Sequence, residues 1–215
     1  MKKVSFVVIL MALFAVTTAT LAFAQYKAKP FEFVGTAEQC APSPAGVDTV
    51  EAAWVTHEGL PDAGKSNHAL LLEKLGATTN CAAAGATITG AEGKTLSELG
   101  YDVRNDGHCG AGAPRFNVVM SGDGLHFIGC AAGPVVGAAL VDPQGKTWTR
   151  KRWSAADLAN PGIAFPAITA ASGTVVSIDI IFDEGDDTGP DLTGTAHLDN
   201  IDINEVLIGK PGLAK

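Results

Sequence analysis

The most constraining feature of the sequence is a strict alternation of apolar side chains near its C-terminal end. Within residues 174–182, one predicted face carries Val176, Ile178, Ile180 and Phe182. Side chains of an extended strand point alternately to opposite faces, so this spacing predicts a β-strand with one buried face. A strand of this kind needs partner strands, and the rest of the chain must supply them.

Similar short segments recur along the chain, separated by Gly, Pro, Asn and Asp. Residues 115–120 and 125–130 flank Ser121-Gly122-Asp123-Gly124, which predicts a hairpin. Further candidate strands are residues 50–56, 68–75, 86–89, 96–103 and 146–153, with a last strand around Ile201 and Ile203. About nine strands without alternating long helices indicate an all-β fold, and we expect a single antiparallel β-sandwich of jelly-roll type.

Two of these regions also carry helix signals. Residues 68–75 are rich in helix-forming side chains, but their length and their neighbours favour a strand. In Ser154-Ala155-Ala156-Asp157, a serine is followed three residues later by an acid, and Pro161 ends the segment. That arrangement predicts a capping box and one short helix.

The first 24 residues are typical of a cleavable signal peptide. Lys2 and Lys3 precede an apolar stretch that ends at Ala22-Phe23-Ala24, a small-x-small cleavage pattern. The alternative is an uncleaved membrane anchor. We expect residues 1–24 to be removed, residues 25–44 to form an N-terminal arm, and residues 45–212 to form the β-sandwich domain.

The charge balance of the exported chain disfavours some classes of binding partner. Without Lys2 and Lys3, 13 basic residues face 23 acidic ones, a formal net charge of −10. Such a chain repels phosphate backbones and anionic lipids. We therefore expect a secreted or periplasmic protein that binds neither nucleic acid nor, after signal cleavage, a membrane.

All four cysteines follow the predicted cleavage site, in a chain expected to reach an oxidising compartment. Four cysteines permit three pairings. We favour Cys109 with Cys130, because they bracket one candidate hairpin, which leaves Cys40 with Cys81. No C-x-x-C pair is present, which disfavours a zinc site or redox use.

Two motifs near the C-terminus support a resemblance to known proteins. The run Ile-Asp-Ile-Ile-Phe-Asp-Glu-Gly at residues 178–185, an acidic loop, and His-Leu-Asp-Asn-Ile at residues 197–201 resemble the closing hairpin of jelly-roll carbohydrate-binding modules. Residues 60–68 and 102–110 also resemble uncharacterised exported bacterial β-sandwich proteins, a family that implies no function. The first resemblance implies a sandwich and favours a sugar ligand.

The acidic loop between the last two strands is a candidate calcium site. Its carboxylates are Asp183, Glu184, Asp186, Asp187 and Asp191. Calcium prefers six to eight oxygen ligands. The resemblance to jelly-roll modules adds Asp199 of the final strand as a sixth carboxylate. The alternative is a solvated acidic loop that maintains solubility.

Sugar binding needs exposed aromatic rings together with polar groups for the hydroxyls. Trp148 and Trp153 differ in parity along one strand, so one of them is a candidate outward-facing platform, although a core position is the favoured alternative for each. The polar run before Cys109 offers Arg104, Asn105, Asp106 and His108. A disulfide would hold this run rigid as a binding loop, whereas its Asn-Asp-Gly is also ordinary turn chemistry.

No pattern in the sequence indicates catalysis. The histidines lack metal-binding spacing, and no nucleophile elbow or phosphate loop occurs. The function predicted here is a noncatalytic exported module that binds a glycan or another surface ligand. The alternative is a structural or adhesive envelope protein with no small ligand. An exposed aromatic strip across one sheet favours the first, and a smooth polar sheet favours the second.

Overall fold

A computed structural model describes residues 26–46, 49–62, 67–189 and 191–209 as two antiparallel β-sheets. The expected signal peptide and its cleavage site lie outside the described residues. The six-stranded sheet has the order β1 (Lys27–Val34), β4 (Ala82–Thr89), β11 (Val175–Phe182), β6 (Arg115–Met120), β7 (Gly124–Gly129) and β10 (Ala164–Phe165). The all-β sandwich prediction is confirmed.

The second sheet has seven strands. Its order is β2 (Val50–Pro61), β3 (Asn67–Lys74), β12 (Thr195–Ile203), β5 (Glu98–Arg104), β9 (Thr147–Ser154) and β8 (Leu140–Val141), with β13 (Val206–Ile208) paired to β12. Two short helices, α1 (Ala37–Cys40) and α2 (Ala155–Leu158), lie outside the sheets, so the prediction of one short helix missed α1. Within the described chain, no helix is long and apolar enough to span a membrane.

The main core lies between the sheets and is centred on aromatic side chains. The Tyr101 ring lies 5.3 Å from the ring of Phe116 and 5.3 Å from that of Trp153, measured between centroids. All three residues are fully buried. Burial of each such side chain contributes roughly 1.5 to 3 kcal/mol, so this cluster is a major source of stability.

The alternation in β11 is interrupted at its first residues. From Ile178 to Phe182 the predicted buried face is confirmed, but Val176 is 51% exposed and Val175 is only 2% exposed. The register against β6 shifts between Val175 and Ser177. A bulge adds one residue to one strand and therefore exchanges the faces on either side of it. The prediction that Val176 faces the core is therefore wrong.

The residues expected to form an N-terminal arm contribute an edge strand. β1 pairs with β4 over its whole length, from Lys27 opposite Thr89 to Val34 opposite Ala82. Pro30 lacks a backbone N–H, and an edge strand tolerates this because one of its sides makes no ladder bonds. The first part of the predicted arm is thus ordered in the six-stranded sheet.

Several local predictions are confirmed. Disulfides join Cys109 to Cys130 and Cys40 to Cys81. Residues 67–74 form β3 rather than a helix, because the backbone pairs with β2 and β12 and almost every side chain of the strand is buried. Helix α2 begins with the predicted capping box, in which Asp157 N donates to the Ser154 side chain and the Asp157 side chain accepts from Ser154 N.

Candidate functional site

The outer face of the six-stranded sheet carries one continuous row of side chains at right angles to the strands. The cross-strand neighbours of this transverse row are, in order, Lys29, Thr87, Asp179, Asn117, Phe127 and Phe165. Neighbouring strands lie about 4.8 Å apart, so the row is roughly 24 Å long. It crosses the whole sheet, from edge strand β1 to edge strand β10.

The row points outward because the alternate residues of the same strands fill the core. Ile178 and Ile180, which flank Asp179, are fully buried, as are Phe116 and Val118 on either side of Asn117. Successive side chains of a strand lie on opposite faces of the sheet. Burial of the apolar set therefore fixes the polar set on the solvent side.

Two aromatic rings form one end of the transverse row. Phe165 is 71% exposed and lies directly opposite Phe127, which is 37% exposed. The Arg115 guanidinium lies 5.7 Å from the centroid of the Phe127 ring, within range of a cation–π interaction. The two phenylalanines thus form an exposed aromatic pair beside a fixed positive charge.

The short strand that carries Phe165 is held in place by the buried side chain of His126. The Nδ1 atom of the buried His126 ring lies 2.8 Å from Pro166 O, and its Nε2 atom lies 2.8 Å from Asp123 Oδ1. Ser172 Oγ donates to the second oxygen of the same carboxylate at 2.6 Å. These bonds hold the two-residue strand β10 against β7 and keep the Phe165 ring in place.

The middle of the row holds polar groups in fixed orientations. Thr87 Oγ1 donates to Asp179 Oδ1 at 2.7 Å, and Arg115 Nε donates to Asn117 Oδ1 at 3.0 Å. Arg115 is itself held by two hydrogen bonds to Asp183, of 2.6 and 2.9 Å. Within the described residues, Asp179 Oδ2 and the Asn117 amide nitrogen make no side-chain hydrogen bond. They offer one acceptor and one donor to a ligand.

The predicted binding loop lies at a different place, beside a polar cleft of about 390 Å³ on the seven-stranded sheet. The cleft is lined by Thr56, His57, Glu58, Arg104, Asp142, Gln144 and Lys146. Arg104 Nε donates to Asp106 Oδ1 at 2.6 Å, and Lys146 Nζ donates to Asp106 Oδ2 at 2.7 Å. Asn105 bonds instead to Thr147 and Thr149. The structure places Arg104 and Asp106 side by side at the cleft, but there the two side chains bond to each other.

A neutral histidine lies next to this cleft. His197 Nε2 lies 2.8 Å from Glu58 Oε2, and Arg104 donates to the same carboxylate. Burial and the positive charge of Arg104 lower the pKa of His197 to about 4. At neutral pH the ring is therefore uncharged and donates its Nε2 proton to Glu58. Sequence spacing could not have linked His197 to Glu58, which lies far away along the chain.

The irregular end of β2 brings Glu58 over the outer face of the seven-stranded sheet. The register against β3 shifts between Thr56 and Pro61. Gly59 has φ +94°, and a Cβ there would lie 2.5 Å from His68 O. Only glycine fits this approach, which folds residues 57–60 across the sheet. The stretch folded back in this way also packs over a second, smaller hydrophobic core.

Neither predicted tryptophan platform is exposed. Trp153 belongs to the main core, and Trp148 packs with Leu60 and Ala69 in the second core on the other side of the sheet. Both indoles are fully buried, and Trp148 Nε1 donates to Asp142 Oδ2 at 2.9 Å. The parity argument placed them correctly on opposite faces. The prediction that one ring faces solvent is wrong because residues 57–60 cover that face.

His108 does not line a surface with Arg104. Its ring is fully buried, with Nδ1 2.6 Å from Asp191 Oδ1 and Nε2 2.6 Å from Glu184 Oε2. The ring stands edge-on to Phe182, with centroids 5.8 Å apart. His108 therefore fastens the acidic loop to the body of the protein.

The predicted calcium ligands are not gathered around one point. Asp183 pairs with Arg115, while Glu184 and Asp191 bind His108. Asp186 and Asp187 accept hydrogen bonds from the loop that contains Gly76 and Thr78. Asp199 is buried elsewhere and accepts from Leu60 N at 2.7 Å. In the part of the chain that the structure describes, no group of acidic, histidine or cysteine side chains is placed to hold a metal ion. Each of these carboxylates bonds to donors of the protein itself.

The sequence analysis missed the residues of the transverse row. One weak signal was present, because Leu125 and Phe127 alternate with Ile128, so at least one apolar side chain of this strand must face outward. Phe165 gave no such signal, since β10 has only two residues. Comparison with known proteins found no matching protein family, no similar curated protein and no similar solved structure.

Proposed function

We propose that this protein is a noncatalytic exported module that binds a glycan along the transverse row. The observation that supports the proposal is the exposed pair of Phe127 and Phe165 at one end of a row of fixed polar groups. Sugar rings present an apolar C–H face that stacks on aromatic rings. Their hydroxyls both donate and accept, and Asn117 and Asp179 supply both kinds of group.

The charge and shape of the row favour a neutral, extended ligand. Lys29 and Asp179 are the only formally charged members of the row, and their charges cancel. A row of roughly 24 Å that is open at both ends accommodates a chain lying across the strands better than a single small molecule. The proposed ligand is therefore a neutral oligosaccharide or polysaccharide.

The proposal assigns no catalytic residue. Glycoside hydrolysis uses two carboxyl groups on either side of the bond that is cleaved. The transverse row carries a single carboxylate, that of Asp179. Export agrees with the two disulfides, which are typical of proteins in an oxidising compartment.

A glycan array with the chain beginning at Gln25 tests the proposal, followed by titration of the best ligand. Phe165→Ala and Phe127→Ala should each weaken binding by about tenfold, which corresponds to roughly 1.4 kcal/mol. Leu207→Ala is the matched control, because Leu207 is an exposed apolar residue of the other sheet. It should bind like the wild type.

A further variant separates the two candidate surfaces. Arg104→Ala alters the polar cleft and should leave glycan affinity unchanged. If Arg104→Ala abolished binding while Phe165→Ala did not, the cleft would be the site and the proposal would be wrong. A folded protein that binds no glycan on the array would support the alternative of a structural or adhesive envelope protein.

A further inference from the structure

An entirely apolar segment forms one edge of the seven-stranded sheet. The apolar edge segment, residues 131–141, reads Ala-Ala-Gly-Pro-Val-Val-Gly-Ala-Ala-Leu-Val and contains no polar or charged side chain. Val135 is 63% exposed, Val136 46% and Val141 59%. Several exposed apolar side chains along one segment, with no polar side chain among them, are typical of an interaction site.

The apolar edge segment is held firmly on its inner side. A Cβ at Gly133 would lie 2.5 Å from the Trp153 ring, so the backbone rests directly on the core. The buried ammonium of Lys151 donates to Gly133 O at 3.0 Å. The segment therefore keeps its outward face in place instead of folding that face into the protein.

Its backbone leaves hydrogen-bonding groups directed away from the sheet. Val136 N donates to Arg150 O, and Arg152 N donates to Pro134 O, so residues 134 and 136 bond to β9. Val135 forms a bridge with Lys151 between these two bonds. In antiparallel pairing the bonded residues alternate, so the N–H and C=O of Val135 point toward the open edge.

The open N–H and C=O groups of Val135 can pair with the same groups of a second, identical copy. In an antiparallel pair, two opposite residues exchange both of their N–H···O bonds. Two copies related by a two-fold axis at Val135 would place each Val135 opposite the other. The same rotation would bring the two exposed Val135 side chains together on one face of the joined sheet, as an isologous interface requires.

Charge distinguishes this edge from the other long edges. Edge strand β1 carries Lys27, Lys29 and Glu32, and edge strand β2 carries Glu51 and Glu58. Charged side chains on an edge prevent pairing with another copy. The apolar edge segment has no such side chain, and nearby Arg150 and Arg152 form ion pairs with Asp102 and Asp202.

We propose that a second copy of this chain pairs with the apolar edge segment, forming a two-fold dimer centred on Val135. The chain beginning at Gln25 has 13 basic and 23 acidic residues, a formal net charge of −10, and repels its own copies, so association requires a surface without charge. The apolar edge segment provides that surface. The dimer leaves both transverse rows free, because they lie on the other sheet, and it does not depend on the proposed function.

Sedimentation velocity over a roughly hundredfold concentration range tests the proposal on the chain beginning at Gln25. The wild type should sediment as a dimer at the upper concentrations. Val135→Lys places two like charges opposite each other and should raise the dimer dissociation constant at least tenfold. Val176→Lys is the matched control, since Val176 is an exposed valine of the other sheet, and it should dimerise like the wild type.

A cross-linking variant tests the position of the axis. Val135→Cys should form an intermolecular disulfide under mild oxidation, whereas Val176→Cys should not. A wild type that remains monomeric throughout would overturn the proposal, as would a Val135→Lys variant that dimerises normally. Glycan affinity per chain should be the same for Val135→Lys and wild type, which keeps this test separate from that of the proposed function.

Discussion

The Nε2 atom of the buried His108 ring lies 2.6 Å from Glu184 Oε2, and the other ring nitrogen lies 2.6 Å from Asp191 Oδ1. A histidine can donate from both nitrogens only when it is protonated. Burial opposes the charge, but the hydrogen bonds to Asp191 and Glu184 outweigh it and raise the pKa of His108 above its ordinary value of 6.5. The contact therefore ties the acidic loop down most strongly in the imidazolium state.

The first prediction concerns the pH dependence of this contact. Because the pKa of His108 is higher in the folded state, its stabilisation is complete below about pH 6.5 and declines as pH rises through the folded-state pKa. His108→Asn should reduce the free energy of unfolding by about 2 kcal/mol at pH 6, and by less at pH 9. Urea unfolding of both proteins across this range measures the difference. A difference that did not change with pH would contradict the charged state of His108.

The second prediction concerns His197, whose shift has the opposite sign. Its pKa is about 4 in the folded protein, so the unfolded chain binds a proton more readily once pH falls below about 6.5. The wild type should lose roughly 2 to 3 kcal/mol of stability through this group between about pH 6.5 and pH 4. His197→Gln should lose correspondingly less over the same interval. Urea unfolding curves of the two proteins that shift in parallel with pH would count against the assignment.

The third prediction ranks the disulfides. The Cys40–Cys81 bridge closes a span of 41 residues and the Cys109–Cys130 bridge one of 21. Restriction of the unfolded chain grows with loop length, so replacing the first pair by alanine should cost about 4 kcal/mol and the second about 3 kcal/mol. Denaturant unfolding of the two double variants measures both values. A larger loss for the shorter loop would show that packing around Cys130, which is fully buried, dominates.

The fourth prediction tests the bulge in β11. Val175→Asp places an unpaired charge in the core and should cost at least about 3 kcal/mol, whereas Val176→Asp should change stability by less than about 0.5 kcal/mol. Simple alternation predicts the reverse order. Yield of soluble protein and thermal melting of the two variants decide between them.

The features predicted correctly from sequence depend on short-range rules. The β6–β7 hairpin follows from alternating side chains around Ser121-Gly122-Asp123-Gly124, and the α2 helix start follows from the spacing of Ser154 and Asp157. The pairing of Cys109 with Cys130 follows from the hairpin region between them. In each case the interacting groups are close along the chain, so local pattern contains the necessary information.

The candidate site could be predicted only in part, because its members come from six strands. The outward face of Asn117 and Asp179 follows from the alternation of their neighbours, but their cross-strand order does not. The expectation that the acidic carboxylates gather around one point is wrong for a related reason. Whether a carboxylate binds a metal or a protein donor depends on what lies opposite it, and His108 is 76 residues from Glu184 along the chain.

By itself, the sequence determined the strand-rich class, the buried face of β11 from Ile178 to Phe182, the local turns and the disulfide pairing. These follow from periodicity and from the conformational preferences of individual residues. Only the tertiary structure decided the strand order, the burial of Trp148 beneath residues 57–60, and the alignment of Phe127 with Phe165. Those relationships depend on which distant segments pack together, and packing is settled by the burial of the whole core rather than by any short stretch of sequence.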